Sequence, residues 1–218
     1  MADDYLSDRE QEEALRAWWR DNWSWIVGGI VLGLAVLFGW RYWEARSIER
    51  AEQAGELYSQ LQTAATGDDA ARAGQLLESL TAEYGSSAYT QQARLLVAAM
   101  HVRAGKAEEA LPLLQAVVDE ARDKELAQIA RMRAARVLVE LGRHDEALTL
   151  LEPWRTAERA GGFAARINEI RGDALFAKGD LAGARAAYQV ALQGSDAAID
   201  RSLLEMKLQD VGGETDGE

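Results

Sequence analysis

Val102-Arg-Ala-Gly-Lys-Ala-Glu-Glu-Ala-Leu-Pro-Leu-Leu114 returns without gaps as Val139-Glu-Leu-Gly-Arg-His-Asp-Glu-Ala-Leu-Thr-Leu-Leu151 and as Phe176-Ala-Lys-Gly-Asp-Leu-Ala-Gly-Ala-Arg-Ala-Ala-Tyr188. Gly105, Gly142 and Gly179 stand 37 residues apart, and so do Ala110, Ala147 and Ala184. A period of this length marks stacked supersecondary units, none of which buries its apolar face alone. In each unit the glycine ends a first helix, because a left-handed backbone costs glycine nothing. The alanine that follows lies where a second, antiparallel helix crosses the first; a larger side chain would push the two apart. Ala98, Ala135 and Gly172 are the matching small residues on the first helix, and Leu114, Leu151 and Tyr188 fill the groove to the next pair. One period back lie Ala73, Leu76, Leu77 and Leu80, with Gly67 one residue short of the glycine position. Four helix pairs are predicted, the first the most divergent.

Nothing in residues 44–218 opposes an all-α reading. Only Pro112 and Pro153 interrupt them, and apolar residues recur at three and four, as in Leu95, Val97, Ala98 and Val102. The spacing of small residue, turn glycine, alanine and bulky residue resembles the tetratricopeptide repeat. It departs from that pattern in its longer period, in Arg94, Arg131 and Asn168 at the usual tryptophan position, and in lacking the closing proline. After the last repeat, Ser195 or Asp196 is expected to start a capping helix through Leu208. Its Ile199, Leu203, Leu204, Met206 and Leu208 would cover the array, with 212–218 as a flexible acidic tail.

Upstream, Trp23-Ser-Trp-Ile-Val-Gly-Gly-Ile-Val-Leu-Gly-Leu-Ala-Val-Leu-Phe-Gly-Trp40 carries no charge over 18 residues. As a helix it spans roughly 27 Å, close to the hydrocarbon thickness of a bilayer. Trp18, Trp19, Trp23 and Trp25 stand at one end and Trp40, Tyr42 and Trp43 at the other, the double aromatic belt of a spanning helix. The first 22 residues hold seven acids against three arginines, and bulky charged residues follow the span, so it reads as an uncleaved anchor rather than a signal peptide. The expected organisation is an acidic head over 1–22, a membrane anchor over 23–43, a repeat domain over 44–211 and the tail. Arginines flanking the span are tied, Arg9, Arg16 and Arg20 against Arg41, Arg46 and Arg50. The short head before a long domain favours a cytoplasmic head; the tie leaves a cytoplasm-facing scaffold as the alternative. Gly29 and Gly33 form a small-xxx-small pair that lets another membrane helix approach.

The net charge is −12, of which residues 44–218 carry −9. So acidic a domain is repelled by phosphate backbones, and nucleic acid is not an expected partner. There is no cysteine, and His101 and His144 have no companions at metal-ligand spacing. No nucleophile elbow or phosphate-binding glycine run is present. The chain is therefore expected to be no enzyme and to need no cofactor or metal. Helical arrays of this kind bind other proteins on the face lined by their first helices. By repeat offset that face holds Gln92, Leu95, Arg103, Met132, Arg136, Arg166 and Phe176. The arginines among them point towards acidic peptide ligands.

The order of parts adds a resemblance. Tyr5, Leu6, Asp8, Glu10 and Gln11-Glu-Glu13, then Trp18-Trp-Arg20, a glycine-rich span, Gly39-Trp-Arg-Tyr-Trp43 and about four repeat pairs together resemble the YfgM-type ancillary subunits of the bacterial SecYEG translocon. That resemblance implies an inner-membrane protein with a cytoplasmic N-terminus and a periplasmic repeat domain. It implies association with SecYEG and with the membrane-anchored chaperone PpiD, and assistance to unfolded proteins emerging from the channel. It supplies no catalytic residues.

Overall fold

A computed structural model describes residues 2–194 and 199–212, with side chains of the first helix from Arg9 onward. Ten α-helices and two short 3-10 turns occupy these residues, with no strand among them. The chain divides into two compact units, 1–52 and 53–218. The first consists of helix α1 (Ala2–Thr66) up to Glu52. Its apolar stretch is long enough to cross a membrane and none of it is buried by the rest of the protein. Trp25 is 81% exposed, and Ile30, Val31, Leu32, Val36 and Phe38 are all exposed, the surface of a helix whose solvent is lipid.

The second unit is the helical array. The end of α1 pairs with α2 (Ala70–Tyr84), and α3 (Ala88–Arg103) with α4 (Ala107–Glu120). Next come α5 (Lys124–Glu140) with α6 (His144–Leu151), and α8 (Ala164–Ala177) with α9 (Leu181–Gln193). Between α6 and α8 lie the turn Glu152–Trp154, the four-residue α7 (Ala157–Ala160) and the turn Gly161–Phe163. Pro153 has no N–H to continue the helical hydrogen-bond ladder, and the α-helix gives way there to a 3-10 turn in which Glu152 keeps right-handed helical geometry (φ −54°, ψ −44°). Helix α10 (Arg201–Asp210) packs on α9.

Chemistry at the turns explains where the helices begin and end. Asp69, Asp123, Asp180 and Asp200 each cap a helix by accepting a hydrogen bond from a backbone N–H of the first turn. Gly105, Gly142 and Gly179 have φ of 72°, 74° and 83°, the left-handed geometry expected of them. After each, the next residue's N–H reaches back five positions: Lys106 to His101, Arg143 to Leu138 and Asp180 to Leu175. Asp69 makes the same bond to the Ala64 carbonyl at 2.9 Å. The first pair is therefore in register, and its left-handed residue is Asp68 (φ 53°), one period before Gly105; Gly67 is not left-handed. Aspartate tolerates this region better than most residues but less well than glycine. Asp68→Gly is expected to stabilise the array by about 0.5–1 kcal/mol, read as a raised thermal midpoint of the full chain in detergent.

Ala73, Ala110, Ala147 and Ala184 are fully buried at the crossings. Leu114, Leu151 and Tyr188 are at most 2% exposed, and Leu80 is fully buried. Burial is shared between neighbouring pairs: one cluster joins Leu114 and Val117 of α4 with Ala130, Ala134 and Val137 of α5. The next joins Leu151 with Ile167 and Ile170 of α8.

The capping helix departs from expectation. It starts at Arg201 behind Asp200, whose carboxylate takes the Leu203 N–H at 3.1 Å. Residues 195–198 and 213–218, where the earlier start and the acidic tail were expected, lie outside the described residues. Leu204 is 1% exposed and Ile199 and Leu208 pack against its cluster, but Leu203 and Met206 face outward. The reason is register: α10 occupies the place of a fifth first helix. Leu95, Met132 and Glu169, at the position of Met206 in earlier pairs, are all under 10% exposed because a further first helix (α5, α8 or α10) follows each of them. Among the described residues no pair follows α10.

Candidate functional site

Two clefts open side by side along the first helices. One, of about 510 Å³, lies between α5 and α8 over Ile129, Met132 and Phe163, with Arg133, Arg136 and Arg166 around it. The other, of about 400 Å³, lies between α3 and α5 over Ala98, Val102 and Val137, with Arg103, Arg133 and Arg136 around it. Arg133 and Arg136 line both, so the clefts form one groove across α3, α5 and α8. Its floor is apolar and its polar edge is mostly guanidinium, with Glu125 and Glu140 the two carboxylates.

Four of the residues expected on this face are in the groove: Arg103, Met132, Arg136 and Arg166. Gln92 is exposed but lines neither cleft, and Leu95 is buried in the core with Ala98 and Leu114. Phe176 is 48% exposed at the end of α8, outside both clefts. Arg133, Ile129 and Phe163 were not expected. Arg133 had a readable signal, because it lies on α5 one turn from Arg136 and both break the repeat. Their equivalents are Leu96 and Ile170 for Arg133, and Ala99 and Asp173 for Arg136.

Electrostatics separates these arginines from several others in the array, whose side chains are engaged. Arg94 donates to the Glu120 carboxylate, Arg143 pairs with Glu146 at 2.6 Å, and Lys178 pairs with Asp145. A further cleft of about 580 Å³ also contains two arginines, but Arg155 and Arg171 both contact Glu152, at 3.2 and 3.0 Å. In the groove, Arg103, Arg133 and Arg136 make no ion pair with any described residue. Arg166 approaches Glu169 at 3.6 Å, and Glu169 takes Lys207 of α10 at 3.2 Å. Lys207 also holds Asp173, which accepts from the Tyr188 hydroxyl at 2.9 Å. Burial and these carboxylates raise the Tyr188 pKa, so its hydroxyl stays protonated.

The positions of the missing tryptophan are polar clamps. Arg94 is buried, donates to Gln91 and reaches Glu120 at the end of α4. Arg131 donates to Gln128 at 2.7 Å and stacks 4.4 Å over the Trp154 ring. Asn168 donates to the carbonyls of Arg155 and Ala164, both at 2.8 Å. Arg94 and Arg131 tie a first helix to the end of its own second helix or to the turn just after it. Asn168 ties α8 to the segment that follows α6, the task a large apolar residue would otherwise perform. Hydrogen bonding and the charge of Arg94 hold the Glu120 carboxyl below the usual range. Because the folded value is the lower one, the clamp stabilises fully above the unfolded glutamate pKa of about 4.3. That stability is lost as pH falls through the folded value. Acid titration of the thermal midpoint should therefore show a smaller drop below about pH 4.5 in Glu120→Gln than in the wild type.

Comparison with known proteins accords with this architecture. Residues 16–213 match the tetratricopeptide repeat-like domain family, nearly the whole chain. The chain belongs to that family. It is also 28% identical over 210 residues, 95% of its length and 98% of the relative's, to the ancillary SecYEG translocon subunit of Escherichia coli K12. A protein of the same name from Haemophilus influenzae is 35% identical over 69 residues, 31% of this chain and 34% of that one. Another, from Aggregatibacter actinomycetemcomitans, is 35% identical over 57 residues, covering 26% and 28%. No solved structure matches. Membrane-anchored by its N-terminal helix, this member of the family is all-α, with its groove built by three consecutive first helices.

Proposed function

We propose that the chain is a periplasm-facing ancillary subunit of the SecYEG translocon that works beside a PpiD-type chaperone on unfolded proteins leaving the channel. The observation that carries this reading is end-to-end similarity to the Escherichia coli translocon subunit, through anchor and repeats alike. The anchor raises the concentration of the array near a membrane channel, so modest contacts suffice for occupancy. The groove gives the array an apolar, cationic surface for a chain that has not yet folded. Gly29 and Gly33 give the span a face on which an added Cβ would meet nothing within 4 Å. Such a face admits a partner helix closely, and Gly29→Leu with Gly33→Leu should reduce recovery of translocon subunits in mild detergent.

Orientation is tested by adding protease to spheroplasts. Digestion of residues 44–218 with protection of the head supports the periplasmic reading. A protected repeat domain would instead make this a cytoplasm-facing scaffold.

A further inference from the structure

The repeat itself shows which groove residues the fold requires. At the position of Arg133 the other pairs carry Leu96 and Ile170, and at that of Arg136 they carry Ala99 and Asp173. A helix pair thus stacks as well without either arginine. Both side chains are exposed, border the two clefts and make no ion pair with any described residue, in a chain of net charge −12. Glu125 and Glu140 line the clefts as well, but neither makes an ion pair with these arginines. Arg103 adds a third such charge from α3.

We propose that the groove binds an extended polypeptide segment in which apolar and acidic residues alternate. This rests on the reading of the protein as a handler of emerging chains and names the segments it takes. In an extended chain, successive side chains point to opposite sides and rise about 3.3 Å per residue. Packed helices lie 8–10 Å apart, so crossing from α3 over α5 to α8 takes roughly 20 Å, about six residues. Three of those side chains face down onto the floor of Val102, Val137, Met132 and Phe163. The alternate three face the rim, where guanidinium groups hold carboxylates through paired, charge-assisted hydrogen bonds. A chain bearing lysines at the rim positions meets like charge and is rejected. A wholly polar acidic chain gains the rim contacts but leaves the floor uncovered.

The test uses the full-length protein in nanodiscs of zwitterionic lipid and fluorescein-labelled ten-residue peptides, read by anisotropy. Three peptides alternate leucine with glutamate, leucine with lysine, and serine with glutamate. The leucine–glutamate peptide should bind at least about tenfold more tightly than either other peptide, and more weakly as salt rises. Arg133→Leu with Arg136→Ala installs residues that the repeat already carries there. It should keep the thermal midpoint and weaken leucine–glutamate binding about tenfold. Equal binding of the lysine peptide, or an unaffected double variant, overturns the proposal. Equal binding of the serine–glutamate peptide overturns it too, reducing the groove to an anion site. Recovery of the translocon with the double variant is a separate readout: its retention leaves the subunit assignment standing even if peptide selection fails.

Discussion

Gly172→Ala is expected to destabilise the array by about 3 kcal/mol, and Tyr188→Leu is expected to restore most of the loss. A Cβ at Gly172 would sit 2.2 Å from Tyr188 Cε1 and 2.4 Å from Cδ1. The ring cannot swing aside easily, because it is 2% exposed and its hydroxyl is held by Asp173. The two preceding pairs have solved the same crossing with Ala98 and Leu114, and with Ala135 and Leu151. Glycine at 172 is therefore the complement of tyrosine at 188: the smaller residue makes room for the larger one. Alanine's better helix propensity, about 1 kcal/mol, offsets only part of the clash. Tyr188→Leu alone should also destabilise, by about 1–3 kcal/mol, through the void against Gly172. The double variant reproduces the pairing used elsewhere and should lie within about 1 kcal/mol of the wild type. Denaturant melts of the four proteins in detergent measure this cycle; simple additivity would show that the two positions do not meet.

Leu151→Ala should cost about 3–4 kcal/mol. The side chain is fully buried in the cluster that joins α6 to Ile167 and Ile170 of α8, beside Ala135 and Ala160. Helix α6 is only eight residues long because of Pro153, so few apolar side chains share its contact with the following pair. In a linear array, losing that interface uncouples the pairs on either side. Amides of α8 and α9 should then exchange through a local opening, while α2 and α3 keep their protection. Leu203→Ala on α10, at a position 42% exposed, should change stability by less than about 0.5 kcal/mol. Uniform loss of protection along the array would argue against this division of the core.

Much of the fold was legible because its strongest constraints are steric and recur. Glycine at 105, 142 and 179 and alanine at 110, 147 and 184 are demanded by backbone sign and helix approach, and both leave a visible period. Asp68 was hidden because its conformation is fixed by a hydrogen-bond pattern, not by residue type. The start of α10 was misplaced because Ser195, Asp196 and Asp200 are all good caps, and packing of Leu204 selects the last. In the groove, the repeat offset located Arg136 and Arg166, which project from the first helices. It also offered Leu95, which the next pair buries, since offset alone does not separate a groove from a stacking interface. Phe163 lies in the irregular segment after Pro153, where no period applies.

Affinity purification of the full-length chain from membranes in mild detergent tests the account most directly, with translocon subunits quantified against an unrelated single-span protein of equal abundance. The account predicts that the SecYEG subunits are enriched with the intact chain and fall away when residues 1–43 are removed. Translocon recovery no higher than that of the unrelated anchor would contradict it.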